Sequence, residues 1–248
     1  MATLSPSYRV RLAERRMDSD SPLNSTCLAI STADNTALSS MDVSMFNFLR
    51  LIALLLMALP VPAATILVFG DSLSAGYGLS PGQGWVTLLE HSLAPHHRVI
   101  NGSVSGETTA GGLSRLPAAL KRHHPDVVVL ELGANDGLRG LQLTTMRRNL
   151  EQMIRLAQQD KAQVLLVGLI LPPNYGPKYR DEFHAVYETL AQQYALNYVP
   201  RLMADFEADP SKFQSDGLHP SAEVQPRMME TVRAKLPLPD PVFSQPGQ

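Results

Sequence analysis

The chain has 248 residues, 44% of them hydrophobic, and a formal net charge of −2 at pH 7. This length suits one domain with additional segments or two small domains, and the hydrophobic content is enough for a sizeable core. Lysine and arginine form no cluster, so nothing in the sequence indicates nucleic-acid binding. The only cysteine is Cys27, which excludes an intrachain disulfide.

The N-terminal part of the chain has two segments of different character. Residues 1–44 are rich in Ser, Thr, Asp and Asn without a helical or strand period, which is typical of a disordered leader. Residues 45–64 then carry Arg50, an apolar run over residues 51–59 and a Pro/Ala-rich exit. This is the layout of a signal peptide, with cleavage after Ala63 or Ala64, and its apolar run is too short to span a bilayer.

A signal peptide lies at a true N-terminus, so its position here indicates that residues 1–44 come from a start codon placed too early. A genuine long leader and an uncleaved internal apolar helix are the alternatives. The signal predicts export to the periplasm or the medium, with no stable membrane span after its removal. At the other end, residues 237–248 are Pro-rich and predict a loose tail.

From residue 65 onward, short apolar runs alternate with segments of helical period. The strands are predicted at residues 65–69, 98–101, 126–130, 163–168 and 197–199. Apolar residues three and four apart predict helices within residues 113–120, 143–157, 183–194 and 224–232. These strands are apolar throughout, without alternation of apolar and polar residues, and they are separated by helices. This pattern implies an α/β domain with a parallel sheet covered on both faces.

The first candidate for chemistry is Ser72, in the run GDSLS over residues 70–74. The run follows the first strand directly, and Gly70 allows a sharp turn there. In an open α/β sheet, the carboxyl edge is where ligands bind, at the point where strand order reverses. For the order 2-1-3-4-5, that point lies between strands one and three. Ser72 would then be a nucleophile, although a Ser or Asp before a helix also occurs as a simple helix cap.

Two further loops leave the same edge of the sheet. Asn135 follows the third strand, and its side-chain amide could donate to a developing oxyanion. Gly106 follows the second strand, and its backbone N–H could point into the same crevice because no Cβ blocks a close approach. The alternatives are an ordinary turn for the Asn-Asp-Gly run and a flexible loop at Gly106.

Late in the chain, Asp216 and His219 lie three residues apart on one predicted loop. A histidine can take the proton of a hydroxyl nucleophile, and an aspartate can fix its tautomer. A helix cap or a metal pair would explain the same spacing. The histidine pairs at residues 96–97 and 123–124 cannot share one helix or strand face, and we interpret them as surface residues. The G-x-S-x-G motif is absent because Ser74 occupies its last position.

These pieces, in this order, resemble the SGNH (GDSL) hydrolase family over about residues 65–236. Ser72 corresponds to the nucleophile of the first block, Gly106 and Asn135 to the second and third blocks, and Asp216 with His219 to the last. The runs GDSLSAGYG (70–78), ELGANDGLRG (131–140) and PPNYG (172–176) are similar to those of the bacterial periplasmic thioesterase, lysophospholipase and arylesterase group. The chain departs from the family pattern at Ala134 and at Glu107, where Gly and Asp are common.

The resemblance implies a flavodoxin-like three-layer sandwich around a central five-stranded parallel sheet, with no metal and no cofactor. It implies catalysis by Ser72, Asp216 and His219, with an oxyanion hole formed by Ser72, Gly106 and Asn135. The loop after strand four is expected to form a wall of the acyl site, although it could be a simple crossover. Substrate binding is assigned to Asp71, Leu73, Pro172, Asn174 and Tyr175.

The expected reaction is hydrolysis of acyl esters or thioesters such as aryl esters, acyl-CoA and lysophospholipids, by a monomer. A carbohydrate acetylesterase of the same superfamily would use the same residues around a polar pocket. A non-catalytic flavodoxin-like binding domain is the other class of function. The turn after strand one argues against it, because it lacks a Gly-rich phosphate cradle.

Overall fold

The computed structural model describes residues 64–238, together with residues 47, 48 and 50. The chain divides into two units, Met1–Leu59 and Pro60–Gln248. In the first unit, the described residues are helical and exposed. The predicted leader, nearly all of the predicted signal peptide and most of the predicted tail lie outside the described residues. Their assignments therefore stay predictions.

The second unit is built on a five-stranded sheet whose paired strands are all parallel. The strands are β1 (Thr65–Gly70), β2 (Arg98–Asn101), β3 (Val127–Glu131), β4 (Gln163–Val167) and β5 (Asn197–Val199). Every residue of β3 is buried, as are all but the first residues of β1 and β4. This is typical of a parallel sheet covered on both faces. The predicted strands are confirmed to within one residue at either end.

Helices connect and cover these strands. They are α1 (Ser72–Ala75), α2 (Trp85–Leu93), α3 (Thr109–His123), α4 (Ala134–Leu138), α5 (Leu143–Gln159), α6 (Pro177–Gln193) and α7 (Gln225–Arg233). The sheet order is β2-β1-β3-β4-β5, so the crossover through α2 runs in one direction and those through α3, α5 and α6 run in the other. Right-handed crossovers therefore place α2 on the opposite face from α3, α5 and α6. With α7 packed against α2, the result is the expected three-layer sandwich.

The structure differs from the sequence-based helices in several places. Helices α1, α2 and α4 were not predicted, and α6 begins earlier than predicted. Helix α3 is longer than the expected residues 113–120, because Thr108 caps it by accepting a hydrogen bond from the N–H of Gly111 (3.3 Å). Tyr194 lies just beyond the end of α6. Val224 ends a 3₁₀ turn before α7, and Pro226 in the first turn of α7 fits a new helix start there.

Strand order reverses at β1, which lies between β2 and β3. The turns that leave β1, β2 and β3 therefore meet at the carboxyl edge of the sheet, where open α/β sheets bind ligands. Among the described residues, no helix has the length and hydrophobicity needed to cross a membrane.

Candidate active site

Ser72 is the first residue of α1, at the carboxyl end of β1. The preceding Asp71 caps this helix, because its Oδ1 accepts a hydrogen bond from the N–H of Leu73 (3.0 Å). Gly76 ends the helix in a left-handed conformation with φ of 75°. The capping role considered for this turn thus falls to Asp71, and the hydroxyl of Ser72 is directed elsewhere.

That hydroxyl meets His219, which is 147 residues away in the chain. Nε2 of His219 lies 2.9 Å from Oγ of Ser72, and Nδ1 lies 2.7 Å from Oδ2 of Asp216. The three side chains form a continuous chain from carboxylate to imidazole to hydroxyl. Among the described residues, no group of three His, Cys, Asp or Glu side chains could hold a metal ion.

The carboxylate of Asp216 is held in its charged form. Partial burial opposes ionisation, but Oδ1 accepts hydrogen bonds from the N–H groups of His219 (3.0 Å) and Leu218 (2.9 Å). With the added contact to the His219 ring, these bonds lower the pKa of Asp216 to about 2. A charged Asp216 favours the imidazole tautomer with its proton on Nδ1, which leaves Nε2 able to accept the proton of Ser72.

Tyr77 and Gln214 complete the surroundings of His219. The rings of Tyr77 and His219 lie 4.5 Å apart between centroids at 39°. Nε2 of Gln214 donates to the backbone carbonyls of Tyr77 (2.8 Å) and Pro220 (3.2 Å). Gln214 therefore ties the turn after α1 to the loop that carries His219. Reasoning from the sequence did not identify these two residues, although Tyr77 falls within the GDSLSAGYG run.

Asn135 lies in the first turn of α4, and its Nδ2 donates a hydrogen bond to Oδ2 of Asp71 (3.1 Å). A carboxamide nitrogen carries two hydrogens, so a second N–H of Asn135 is available to the cavity that this residue lines. Gly106 lines the same cavity in a left-handed conformation, with φ of 77°. Arg139 braces both residues, because its Nη2 donates to the carbonyl of Gly106 (3.0 Å) and contacts Oδ1 of Asn135 (3.5 Å).

Beneath Ser72 lie two carboxyl groups that are wholly buried, Asp71 and Glu131. Burial raises the pKa of Asp71 to about 6, against the opposing hydrogen bonds from Leu73 and Asn135. Burial and the neighbouring Asp71 raise the pKa of Glu131 well above its ordinary value. Perturbed carboxyl groups next to a cavity are typical of functional sites. Sequence reasoning did not single out Glu131.

Ser72, His219, Asn135 and Gly106 open onto one cavity of about 790 Å³, within the size range of ligand sites. The cavity extends past the ends of β4 and β5 to the segment around residues 203–213. Its side chains there are mainly apolar and include Leu138, Leu169, Ile170, Leu171, Met203, Pro210 and Phe213. The chain therefore places the Ser72 hydroxyl in an apolar groove.

The predicted substrate-binding residues divide into two groups. Asp71, Leu73 and Pro172 line the cavity. Asn174 and Tyr175 do not line it, although Pro173, which precedes them in the same 3₁₀ turn, does. The hydroxyl of Tyr175 instead donates to the carbonyl of Leu138 (2.8 Å), so Tyr175 braces the cavity wall from behind.

The fold and the site together define a class, the serine hydrolases built on an α/β sandwich. Residues 68–225 match the GDSL-like lipase/acylhydrolase family. The chain belongs to this family, and its enzymatic class is that of a serine hydrolase acting on ester or thioester bonds. Membership agrees with the hydrolase interpretation and not with a non-catalytic binding domain.

Named relatives support this placement. The chain is 46% identical to esterase TesA of Pseudomonas aeruginosa over 73% of this chain and 92% of that protein. It is 40% identical to thioesterase 1/protease 1/lysophospholipase L1 of Escherichia coli over 70% of this chain and 84% of that protein. A crystal structure of TesA superposes with a TM-score of 0.68 at 46% identity, over 70% of this chain and 98% of that one.

Proposed function

We propose that this protein hydrolyses esters and thioesters of extended acyl chains through an acyl-enzyme on Ser72. The observation that carries the proposal is the continuous contact from Asp216 through His219 to Ser72 at the mouth of an apolar cavity. The relatives named as esterase and as thioesterase and lysophospholipase support the same substrate classes.

In the first step, Nε2 of His219 takes the hydroxyl proton while Oγ of Ser72 forms a bond to the carbonyl carbon. The protonated His219 then gives this proton to the leaving alcohol or thiol as its bond to the carbonyl carbon breaks. In the second step, His219 activates a water molecule, which releases the acid and restores the Ser72 hydroxyl. Asp216 stabilises the imidazolium that forms in both steps.

The negative charge on the carbonyl oxygen needs donors in place before the reaction. The backbone N–H groups of Ser72 and Gly106 and the free N–H of Asn135 are the proposed oxyanion hole. The braces from Asp71 and Arg139 support this role for Asn135, since a donor that is already oriented needs no reorganisation when the charge appears.

The acyl chain is proposed to lie in the apolar groove that crosses the ends of β3, β4 and β5. Strands in a sheet are about 4.8 Å apart, so a groove spanning β1 to β5 extends over roughly 14 Å. Pro172 and Leu73 contribute to its walls. An apolar groove of this kind favours a long acyl chain over an acetyl group on a sugar.

We further propose that the protein is exported, with residues 45–64 as the signal peptide and a mature chain that starts near Thr65. We also propose that it acts as a monomer. N-terminal sequencing of the protein recovered from the periplasm and the medium tests the first point. A mature terminus upstream of residue 45 would contradict it.

A substrate panel on the chain starting at Thr65 tests the function. p-Nitrophenyl esters from acetyl to palmitoyl, acyl-CoA thioesters and an acetylated xylan oligosaccharide are compared, with Ser72→Ala as the control. We expect a higher kcat/KM for longer acyl chains and turnover of both esters and thioesters, all lost in Ser72→Ala. A preference for the acetylated sugar would favour the carbohydrate esterase instead.

A further inference from the structure

Glu131 lies directly under the turn that carries Ser72. It is the last residue of β3 and pairs in register with Gly70, the last residue of β1. A Cβ at Gly70 would lie 2.5 Å from Oε2 of Glu131 and 2.7 Å from Oγ of Ser74, so a larger residue does not fit at this position. The glycine thus makes room for a carboxyl group below the nucleophile.

We propose that Glu131 is a positioning residue that fixes Ser72 through the residues on either side of it. Its Oε2 accepts a hydrogen bond from the N–H of Asp71 (3.4 Å), one residue before Ser72. The same oxygen lies 2.6 Å from the hydroxyl of Ser74, two residues after Ser72. One carboxyl group therefore bridges the start and the middle of α1. A helix of this length depends on such outside contacts, because isolated short helices are marginal.

The location of Glu131 is costly for stability, which is why we assign it a role at the site. Its side chain is wholly buried, and among the described residues it forms no ion pair with Lys, Arg or His. Its Oε1 is buried with no hydrogen-bond partner in the described part of the chain. Burying a carboxyl group in this way is unfavourable, and such local costs are typical of functional sites.

We infer that Glu131 acts as a neutral acid, so that Asp71 carries the negative charge of the pair. Burial and the proximity of Asp71 both disfavour a charged Glu131. The titratable groups that face the pair from the neighbouring elements are His219, Asp136 and Tyr187. A neutral acid offers one acceptor oxygen and one donor O–H, which glutamine can imitate and methionine cannot.

This inference rests on Ser72 as the nucleophile, and the test separates the two claims. The second-order rate of labelling by a fluorophosphonate is measured for the wild type, Glu131→Met, Glu131→Gln and Ser74→Ala, together with kcat and KM on one ester. Leu150→Ala serves as the matched control, because this core residue of α5 is buried and does not line the cavity. It is expected to lower the melting temperature and leave the labelling rate unchanged.

For Glu131→Met, we expect labelling and kcat to fall roughly 10–100-fold with KM within about twofold, because small displacements of a nucleophile are costly. In Ser74→Ala, the labelling rate and kcat should fall roughly 3–10-fold because one hydrogen bond is lost. Glu131→Gln should stay within about threefold of the wild type, with an unmoved acid limb in its pH–rate profile, because no charge is lost.

Wild-type labelling rates in both Glu131→Met and Ser74→Ala would overturn the inference while leaving the proposed function intact. If Glu131→Met fails to fold, a wild-type labelling rate in Ser74→Ala alone overturns the inference. An acid limb displaced to lower pH in Glu131→Gln would show that Glu131 is charged, which contradicts the neutral-acid role. A wild-type protein that is not labelled would instead contradict the proposed function.

Discussion

Nε2 of His219 lies 2.9 Å from Oγ of Ser72, although 147 residues separate them in the chain. Ser72 is set at the carboxyl end of β1 by the cap of α1, whereas His219 is on the loop before α7. Gln214 links the two segments by donating to the carbonyls of Tyr77 and Pro220. The contact between the proposed nucleophile and its proposed base therefore depends on how α7 packs against α2 and on how Gln214 holds the loop before α7.

The tautomer of His219 is predicted to depend on the charge of Asp216. In Asp216→Asn, the carboxamide can present an N–H to Nδ1, which places the imidazole proton on Nε2 and prevents it from accepting the proton of Ser72. We expect kcat to fall about 10²–10⁴-fold, measured on a p-nitrophenyl ester with folding checked by circular dichroism. A loss below tenfold would show that Asp216 does not orient His219.

Removal of the Asn135 side chain tests the oxyanion hole. Asn135→Ala is expected to lower kcat roughly 10²–10³-fold with little change in KM, because this donor acts on charge that develops in the transition state. Steady-state kinetics on a short and a long ester should show the same fold reduction in kcat. A change confined to KM would mean that Asn135 binds substrate in its ground state and does not serve as an oxyanion donor.

Met203 lines the apolar groove proposed to hold the acyl chain, beyond β5 and far along the sheet from Ser72. Met203→Trp should shorten the groove, so kcat/KM for a palmitoyl ester should fall about tenfold or more relative to an acetyl ester. The acetyl ester is the internal control, since its acyl group ends before the substituted residue. An unchanged ratio across the chain-length series would exclude this route for the acyl chain.

The raised pKa of Asp71 predicts a pH dependence of stability. The folded state holds a proton on Asp71 up to about pH 6, whereas the unfolded state loses it near 3.8. The contribution of Asp71 is therefore fully present below the unfolded value and is lost as the pH rises through the folded value. At 1.36 kcal/mol per pKa unit, the free energy of unfolding loses at most about 3 kcal/mol from this group.

Thermal unfolding between pH 3.5 and 7 checks this in the wild type and Asp71→Asn. The melting temperature of Asp71→Asn relative to the wild type should rise across about pH 4 to 6 and then level off. Comparing the two proteins cancels groups of opposite sign, such as Asp216, whose lowered pKa contributes stability that is lost as the pH falls towards about 2. A constant difference between the two melting temperatures across this range would show that the pKa of Asp71 is not raised.

The strands were predictable from the sequence because buried parallel strands are short, continuous apolar runs. Their order in the sheet was assumed and not predicted from these runs, and the structure has the assumed order β2-β1-β3-β4-β5. Helix α3 was underestimated because Gly111, Gly112 and Pro117 argue against a helix. Gly112 is in fact required by packing, since a Cβ there would lie 2.5 Å from Leu132. Such close approaches arise in three dimensions and leave no periodic trace in the sequence.

The residues of the candidate site were also only partly predictable from the sequence. Ser72, Gly106, Asn135, Asp216 and His219 could be proposed because each follows a strand or precedes a helix within a short recognisable motif. Glu131, Gln214 and Arg139 could not, because their roles come from contacts between segments far apart in the chain. Asn174 and Tyr175 lie in the expected loop but do not line the cavity, and the contact of the Tyr175 hydroxyl with the carbonyl of Leu138 joins segments far apart in the chain.

The most direct test of the account is the intact mass of the protein after reaction with a fluorophosphonate, followed by peptide mapping. We predict one adduct per chain, located on Ser72, with complete loss of esterase activity. Ser72→Ala should gain no mass and show no activity above the uncatalysed rate. An adduct on another residue, or a Ser72→Ala variant that keeps its esterase activity, would contradict Ser72 as the nucleophile.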